Sequence, residues 1–141
     1  MQSTTETAAN SRAALWAGRI ITGLVILFLL FDAVIKLIKL PAALEGTVRL
    51  GYPASVLVPL GVVLLTSVVL YAIPHTSVLG SILLTGYLGG ATATQVRVQD
   101  PWFVFPVLVG ALAWTGLYLR DDQLRALIPL RKTESRALIG S

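Results

Sequence analysis

The chain has 141 residues, 55% of them hydrophobic and 13% charged, with a formal net charge of +4; soluble domains carry about 25% charged residues, so most of this chain has no water-facing surface to cover. One domain suits the length, and in so apolar a chain the surplus of Lys and Arg points to topology and anionic lipid rather than to nucleic acid. Cysteine is absent, His75 is the one histidine and Met1 the one methionine, which excludes disulfides, Cys nucleophiles, thiolate metal centres and a bis-His haem, and leaves a zinc site short of ligands.

Residues 1–12, MQSTTETAANSR, are polar and small and read as a flexible tail. Their start lacks the basic region of a cleavable signal peptide, and the apolar run after them is too long for one. That run covers residues 13–40. Twelve residues separate Arg19 from Asp32; as helix they cover about 18 Å, too little for a hydrocarbon core of about 30 Å. A helix from Arg12 to Lys39 is about 40 Å long. It crosses only with Arg19 near one face and Asp32 inside the other, while Lys36 and Lys39 snorkel outward along their stems.

The link PAALEGTVRLGYP, residues 41–53, predicts a short interfacial helix. Pro41 suits its start, Glu45 and Arg49 stand at i,i+4, and Gly51 makes its stop. An irregular loop is the alternative, because Gly46 weakens a helix. Three further apolar segments follow at 54–73, 78–96 and 102–119, each suited to one crossing. Pro59 and Pro106 fall in their early turns, where the lost amide hydrogen bond costs least. The connections PHTS and RVQDP are short. The expected fold is therefore all-α: an integral membrane four-helix bundle over residues 13–120, with antiparallel neighbours.

Residues 121–141 form the C-terminal segment. Asp121 or Asp122 caps a short amphipathic helix there, with Leu124, Leu127 and Ile128 on its apolar side and a disordered end beyond it. With four crossings both termini share a side. That side carries seven basic residues against four on the other, which puts both termini in the cytoplasm. Trp16, Trp102, Tyr52, Tyr71 and Tyr118 fall near span ends, as an aromatic belt requires.

The third segment is the most patterned. Gly86, Gly90 and Thr94 recur at i, i+4 and i+8, with Gly89 and Ala93 beside them. Small residues at this spacing read as a helix-packing face; the alternative is a groove where a ligand or lipid tail meets exposed backbone. At the outer end, topology gathers one polar layer: Asp32 and Lys36 from the first helix, Arg49 and Tyr52 from the link, Thr92, Gln95 and Arg97 from the third helix, and Asp100 from the link after it. Asp32 and Lys36 are in the favourable order for an i,i+4 pair. A carboxylate at this depth is expected to face the bundle and find a basic partner. The layer reads either as a structural ion pair tying the first helix to the third through Arg97, or as a polar pocket for a headgroup or for protons. His75 reads as a solvated turn residue.

The stretches GRIITGLVILFLLFDAVIKL, LGYP, VLYAIPHTSVLGSILLTGYLGGATATQVR and GLYLRDDQLRALIPLR resemble the DoxX-like family of small bacterial membrane proteins, over residues 17–131. The piece at residues 74–97 is the most specific. The resemblance implies four transmembrane helices and a bacterial cytoplasmic membrane. The family name comes from a subunit linked to a terminal quinol oxidase and to thiosulfate–quinone oxidoreduction. Similar sequences often carry Glu where this chain has Leu64 and His where it has Gln95, so redox or metal chemistry carries over poorly.

Three functions compete. The first is a non-catalytic accessory or scaffold that binds lipid, another membrane protein or a second copy of itself, with no cofactor and no metal. The second is a quinone-binding subunit of a membrane oxidoreductase, with Asp32, Gln95 and Tyr87 directed at a quinone oxygen. The third is a small proton-coupled carrier in which Asp32 titrates.

Overall fold

A computed structural model describes the backbone of residues 2–127 and the side chains of residues 12–127. Ile128, expected on the apolar side of the last helix, the end of the chain expected to be disordered, and the basic residues Arg131, Lys132 and Arg136 lie outside the described residues. Within them every regular element is helical: α1 (Gln2–Leu37), α2 (Pro41–Arg49), α3 (Leu57–Ala72), α4 (Ser77–Arg97), α5 (Val104–Arg120) and α6 (Asp122–Leu127), joined by single 3-10 turns at Ala54–Val56, Pro74–Thr76 and Pro101–Phe103.

The first helix starts earlier than expected. Residues 2–12, read from the sequence as a tail, continue α1 without a break. The reason is local: no Gly or Pro precedes Gly18, and Ala8, Ala9, Ala13 and Ala14 are among the best helix formers. Pro59 and Pro106 each occupy the third position of their helix, as expected.

Three stretches are long and apolar enough to cross a membrane: Arg12–Leu37, Ala54–Ala72 and Pro101–Arg120. α4 is not among them. It has 21 residues, but its four glycines and its Ser, Thr and Gln residues dilute the apolar content of the expected crossing at 78–96.

α1 packs on α3 and α5, and α4 packs on the same two. α1 and α4 thus face each other diagonally across a shared core. Val25, Leu29 and Ala33 enter it from α1, Leu64, Val68 and Tyr71 from α3, Leu84 and Leu88 from α4, and Val109, Ala113 and Leu117 from α5. The outward faces carry Leu24, Leu27, Phe31, Val62, Leu79, Ile82, Val107 and Leu112, all exposed. Apolar residues on both faces are what a lipid solvent allows.

The close helix approaches use glycines that the sequence pattern did not single out. A Cβ on Gly18 would lie 2.9 Å from the Gly116 carbonyl oxygen, and one on Gly116 would lie 2.6 Å from Thr22 Oγ1. A Cβ on Gly80 would run into the backbone of Tyr71. These are close approaches between α1 and α5 and between α3 and α4, the kind that associates helices in lipid.

Arg120 closes the end of the molecule near α6. Its guanidinium lies over the Tyr71 ring, 5.5 Å from the centroid. Its Nη2 donates to Ser77 Oγ at 3.3 Å and to the Tyr71 carbonyl at 3.5 Å. The Tyr71 hydroxyl donates to the Ala113 carbonyl at 2.7 Å. Asp121 caps α6 by accepting from the Leu124 amide at 3.1 Å.

At the opposite end three helices stop in the same way. After α1, Leu40 N donates to Ile35 O and Lys39 N to Lys36 O. After α2, Tyr52 N donates to Thr47 O and Gly51 N to Val48 O. After α4, Asp100 N donates to Gln95 O and Gln99 N to Val96 O. Each is the double bond pattern of a Schellman stop, with Lys39 at φ 54, Gly51 at φ 91 and Gln99 at φ 57. Gly51 is the stop expected from the sequence. Lys39 and Gln99 hold left-handed backbone without being glycine, so no sequence signal marks them.

Candidate functional site

The ends of α1 and α4, the starts of α3 and α5, and α2 enclose a cavity of about 420 Å³. That lies within the range of about 300–1,000 Å³ common for small-molecule sites. It occupies the diagonal gap between α1 and α4, where no helix pair closes on itself. Phe28, Leu29, Leu88, Phe105 and Val109 make its apolar walls, and Asp32, Lys36, Tyr87 and Gln95 bring polar groups to it. Phe28 and Phe105 meet edge to face, with ring centroids 5.2 Å apart. Both rings, with Gly86 and Gly90, are also exposed, so the cavity opens at the side of the molecule.

Asp32 and Lys36 pair within α1. Lys36 Nζ lies 2.5 Å from Asp32 Oδ2, and both side chains are largely covered. Asp32 therefore faces inward with a basic partner, but the expected bond from Arg97 to Asp32 does not form. Arg97 turns the other way: its Nη2 donates to the Leu50 carbonyl at 2.9 Å. A guanidinium on the last turn of α4 finds a free helix-end carbonyl of α2 closer than a carboxylate already neutralised by Lys36.

Arg49 also departs from expectation. It does not pair with Glu45 along α2 but reaches Asp100, 3.6 Å away, across the mouth of the α4–α5 connection. Asp100 is mostly covered and accepts from the Trp102 amide at 3.0 Å, which starts the turn into α5. The charged and amide residues of the expected polar layer thus divide. Asp32, Lys36 and Gln95 line the cavity. Arg49 and Arg97 tie α2 and its connection to α4.

The glycine pattern of α4 needs a correction. A Cβ built on Gly86, Gly89 or Gly90 meets nothing within 4 Å, so none of the three marks a close helix approach within this chain. Gly86 and Gly90 front the cavity instead, as does Thr94. Their spacing puts them on one side of α4, and that side faces the diagonal gap rather than a neighbouring helix. The alternative offered by the sequence, backbone presented to a groove, describes this placement.

Thr94 has a second part. Its Oγ1 donates to the Gly90 carbonyl at 2.9 Å, which uses its one proton. The Tyr52 hydroxyl, 2.8 Å away, must therefore be the donor in the contact between them. Tyr52, Thr47 and Leu50 cover the cavity from the α2 side.

Among the described residues three buried side-chain atoms stand without a partner, Ser81 Oγ, Arg120 Nε and Gln95 Oε1, and of these three residues only Gln95 lines the cavity. Gln95 Oε1 is buried and accepts no hydrogen bond, although its side chain lines the cavity. A buried acceptor left unpaired costs free energy, about 1–3 kcal/mol. Leu64, the position where similar sequences carry Glu, is fully buried in the core and is not part of the cavity lining. Phe28 and Phe105, which shape the cavity, carry no sequence signal beyond being apolar. His75 is exposed in the Pro74–Thr76 turn, at the other end of α4.

A family model described as the DoxX-like family matches residues 20–116, more than half of the chain. No curated protein and no solved structure matches it.

Proposed function

The chain belongs to the DoxX-like family, and on that premise we propose that this membrane protein crosses the bilayer four times and holds a lipid-like ligand in the cavity between α1, α4 and α5, as an accessory or scaffold protein without chemistry of its own. The observation that carries this reading is the cavity itself: an apolar chamber with a side opening, whose polar groups are gathered at one end. That layout matches an amphiphile entering from the bilayer with its head toward Gln95 and its tail along Phe28 and Phe105. The same cavity sits where α4 presents bare backbone at Gly86 and Gly90, which gives a chain of methylenes a smooth wall.

α4 is the fourth crossing in this reading. Its 21 residues span about 31 Å as helix, and its polar residues turn toward the cavity end or bond back to the helix, as Thr85 and Thr92 do. Both termini are then cytoplasmic, in a bacterial inner membrane, by the excess of basic residues on that side. The cysteine-free sequence makes the topology simple to test. Single cysteines at Ser55 and at His75 should label from opposite sides of the membrane.

The ligand is tested by extracting the protein from native membrane in a mild detergent and identifying bound small molecules by mass spectrometry. Gly90→Phe fills the cavity from a position where a Cβ meets nothing. Retention of the same molecules by the folded Gly90→Phe protein would count against the cavity.

A second reading shares the site. Asp32, Tyr87 and Gln95 all line the cavity, and Phe28 and Phe105 offer aromatic surface on its wall against which a quinone ring can lie. Co-purified quinone, lost in Gly90→Phe, supports that reading over a storage or structural lipid.

A further inference from the structure

The polar end of the cavity has an uneven inventory. Its charged residues are Asp32 and Lys36 alone, and they neutralise each other at 2.5 Å. Arg49 and Arg97, at the same end of the bundle, are committed to Asp100 and to the Leu50 carbonyl. The site therefore offers no surplus charge to an ion. An anionic head would have to draw Lys36 from Asp32, and a cationic head Asp32 from Lys36, each leaving a covered charge without its partner.

The hydrogen-bonding inventory is uneven as well. Gln95 Oε1 is a buried acceptor with nothing to accept from. What it lacks is a donor, an O–H or an N–H. An ionised phosphodiester group and a choline have none. Glycerol and alcohol heads do. The Tyr87 hydroxyl on the same lining can donate to or accept from a second hydroxyl of such a head.

We infer that the cavity selects an uncharged amphiphile whose head group carries a hydroxyl donated to Gln95 Oε1, and discriminates against anionic and cationic lipids of the same chain length. This rests on the cavity's being a ligand site, as proposed above, and adds the chemistry of the ligand. The apolar body lies against Phe28, Leu88, Phe105 and Val109. Acylglycerols and long-chain alcohols share the required chemistry.

The experiment uses the full chain in phosphatidylcholine nanodiscs, since sugar-headed detergents are themselves uncharged hydroxyl-bearing amphiphiles. Binding is measured for a monoacylglycerol, a long-chain alcohol, the di-O-methyl ether of the monoacylglycerol, lysophosphatidic acid and a fatty amine. The expected result is that the monoacylglycerol binds roughly tenfold more tightly than its ether, as one well-placed buried hydrogen bond implies, and more tightly than either charged lipid. The long-chain alcohol distinguishes a simple hydroxyl from a glycerol head as the preferred form. In Gln95→Leu and Gln95→Met, with helicity and unfolding temperature retained, the preference over the ether disappears. Equal binding of ether and alcohol-bearing lipid, or stronger binding of the charged lipids, overturns the inference and leaves the ligand site standing. No enrichment of any of the five lipids overturns the ligand site itself.

Discussion

The Tyr52 hydroxyl donates to Thr94 Oγ1 at 2.8 Å, joining the residue that leads out of α2 to the last turns of α4. Through this bond and the Arg97 contact to the Leu50 carbonyl, α2 is fastened over the cavity from the α4 side. Few apolar contacts do the same work. Thr47 is the only buried residue of α2, and its hydroxyl bonds back to the Ala43 carbonyl. We predict that Tyr52→Phe leaves the core intact, lowers stability by about 1 kcal/mol, and raises amide hydrogen exchange in α2 and its flanks. Unchanged exchange there would show that α2 is held by something else.

The two arginines of this region should behave differently. Arg49 is exposed and 3.6 Å from Asp100, a geometry for which exposed pairs contribute about 0.2–1 kcal/mol. Arg97 caps a helix-end carbonyl at 2.9 Å. The expected outcome is that Arg97→Ala loosens α2 in hydrogen exchange, while a double-mutant cycle on Arg49 and Asp100 gives coupling under about 1 kcal/mol. A larger coupling would make the ion pair the main fastening.

Gly80 and Gly86 stand six residues apart on α4 and are predicted to have opposite tolerance. A side chain on Gly80 meets the backbone of α3, which cannot yield as a side-chain tip can. Gly80→Ala should cost about 3 kcal/mol, the upper end for overpacking, and lower the yield of folded protein. Gly86→Ala meets open space and should be neutral or stabilising by up to about 1 kcal/mol from helix propensity. Thermal unfolding followed by circular dichroism in detergent compares them. Equal damage from both would place the Gly86 face against a second copy of the chain, the packing role the spacing first suggested.

Lys39 and Gln99 hold left-handed backbone at the ends of α1 and α4. That conformation costs an L-residue about 1–2 kcal/mol, part of which a glycine gives back in unfolded-chain entropy. Lys39→Gly and Gln99→Gly are each expected to stabilise by about 0.5–1 kcal/mol. A loss of stability on either substitution would mean that the side chain supplies more than its backbone strain takes away.

The sequence carries some of this directly. Long apolar runs bounded by Pro and Gly mark α1, α3 and α5, because a lipid solvent imposes length and composition at once. The outer layer was also legible in part: once neighbouring helices are antiparallel, Asp32, Lys36 and Gln95 must fall at one end. What chain order does not encode is which of several polar neighbours a long side chain chooses. Topology points Arg97 at Asp32 and spacing points Arg49 at Glu45, yet each side chain bonds a different group on another element. The glycine stripe was visible, but its facing was not. A small-residue face looks the same in sequence whether it meets a helix or an empty diagonal, and the packing glycines Gly18, Gly80 and Gly116 lie one each on α1, α4 and α5 without a repeat. The helical start of α1 is not legible because its residues are polar, and polarity by itself does not distinguish a tail from a helix.

Arg120 gives the molecule a mechanical polarity. Its guanidinium joins the Tyr71 ring, the Tyr71 carbonyl and Ser77, so the ends of α3, α4 and α5 move as one piece on that side, and Gly80 leaves them no slack. The opposite side is fastened by a few hydrogen bonds at the protein surface. Any breathing of the helices must then fan outward from the Arg120 end, like the ribs of a hand fan from their rivet. If the cavity holds a ligand as proposed, its arrival and departure would move α2 and the α4–α5 connection more than the Arg120 end.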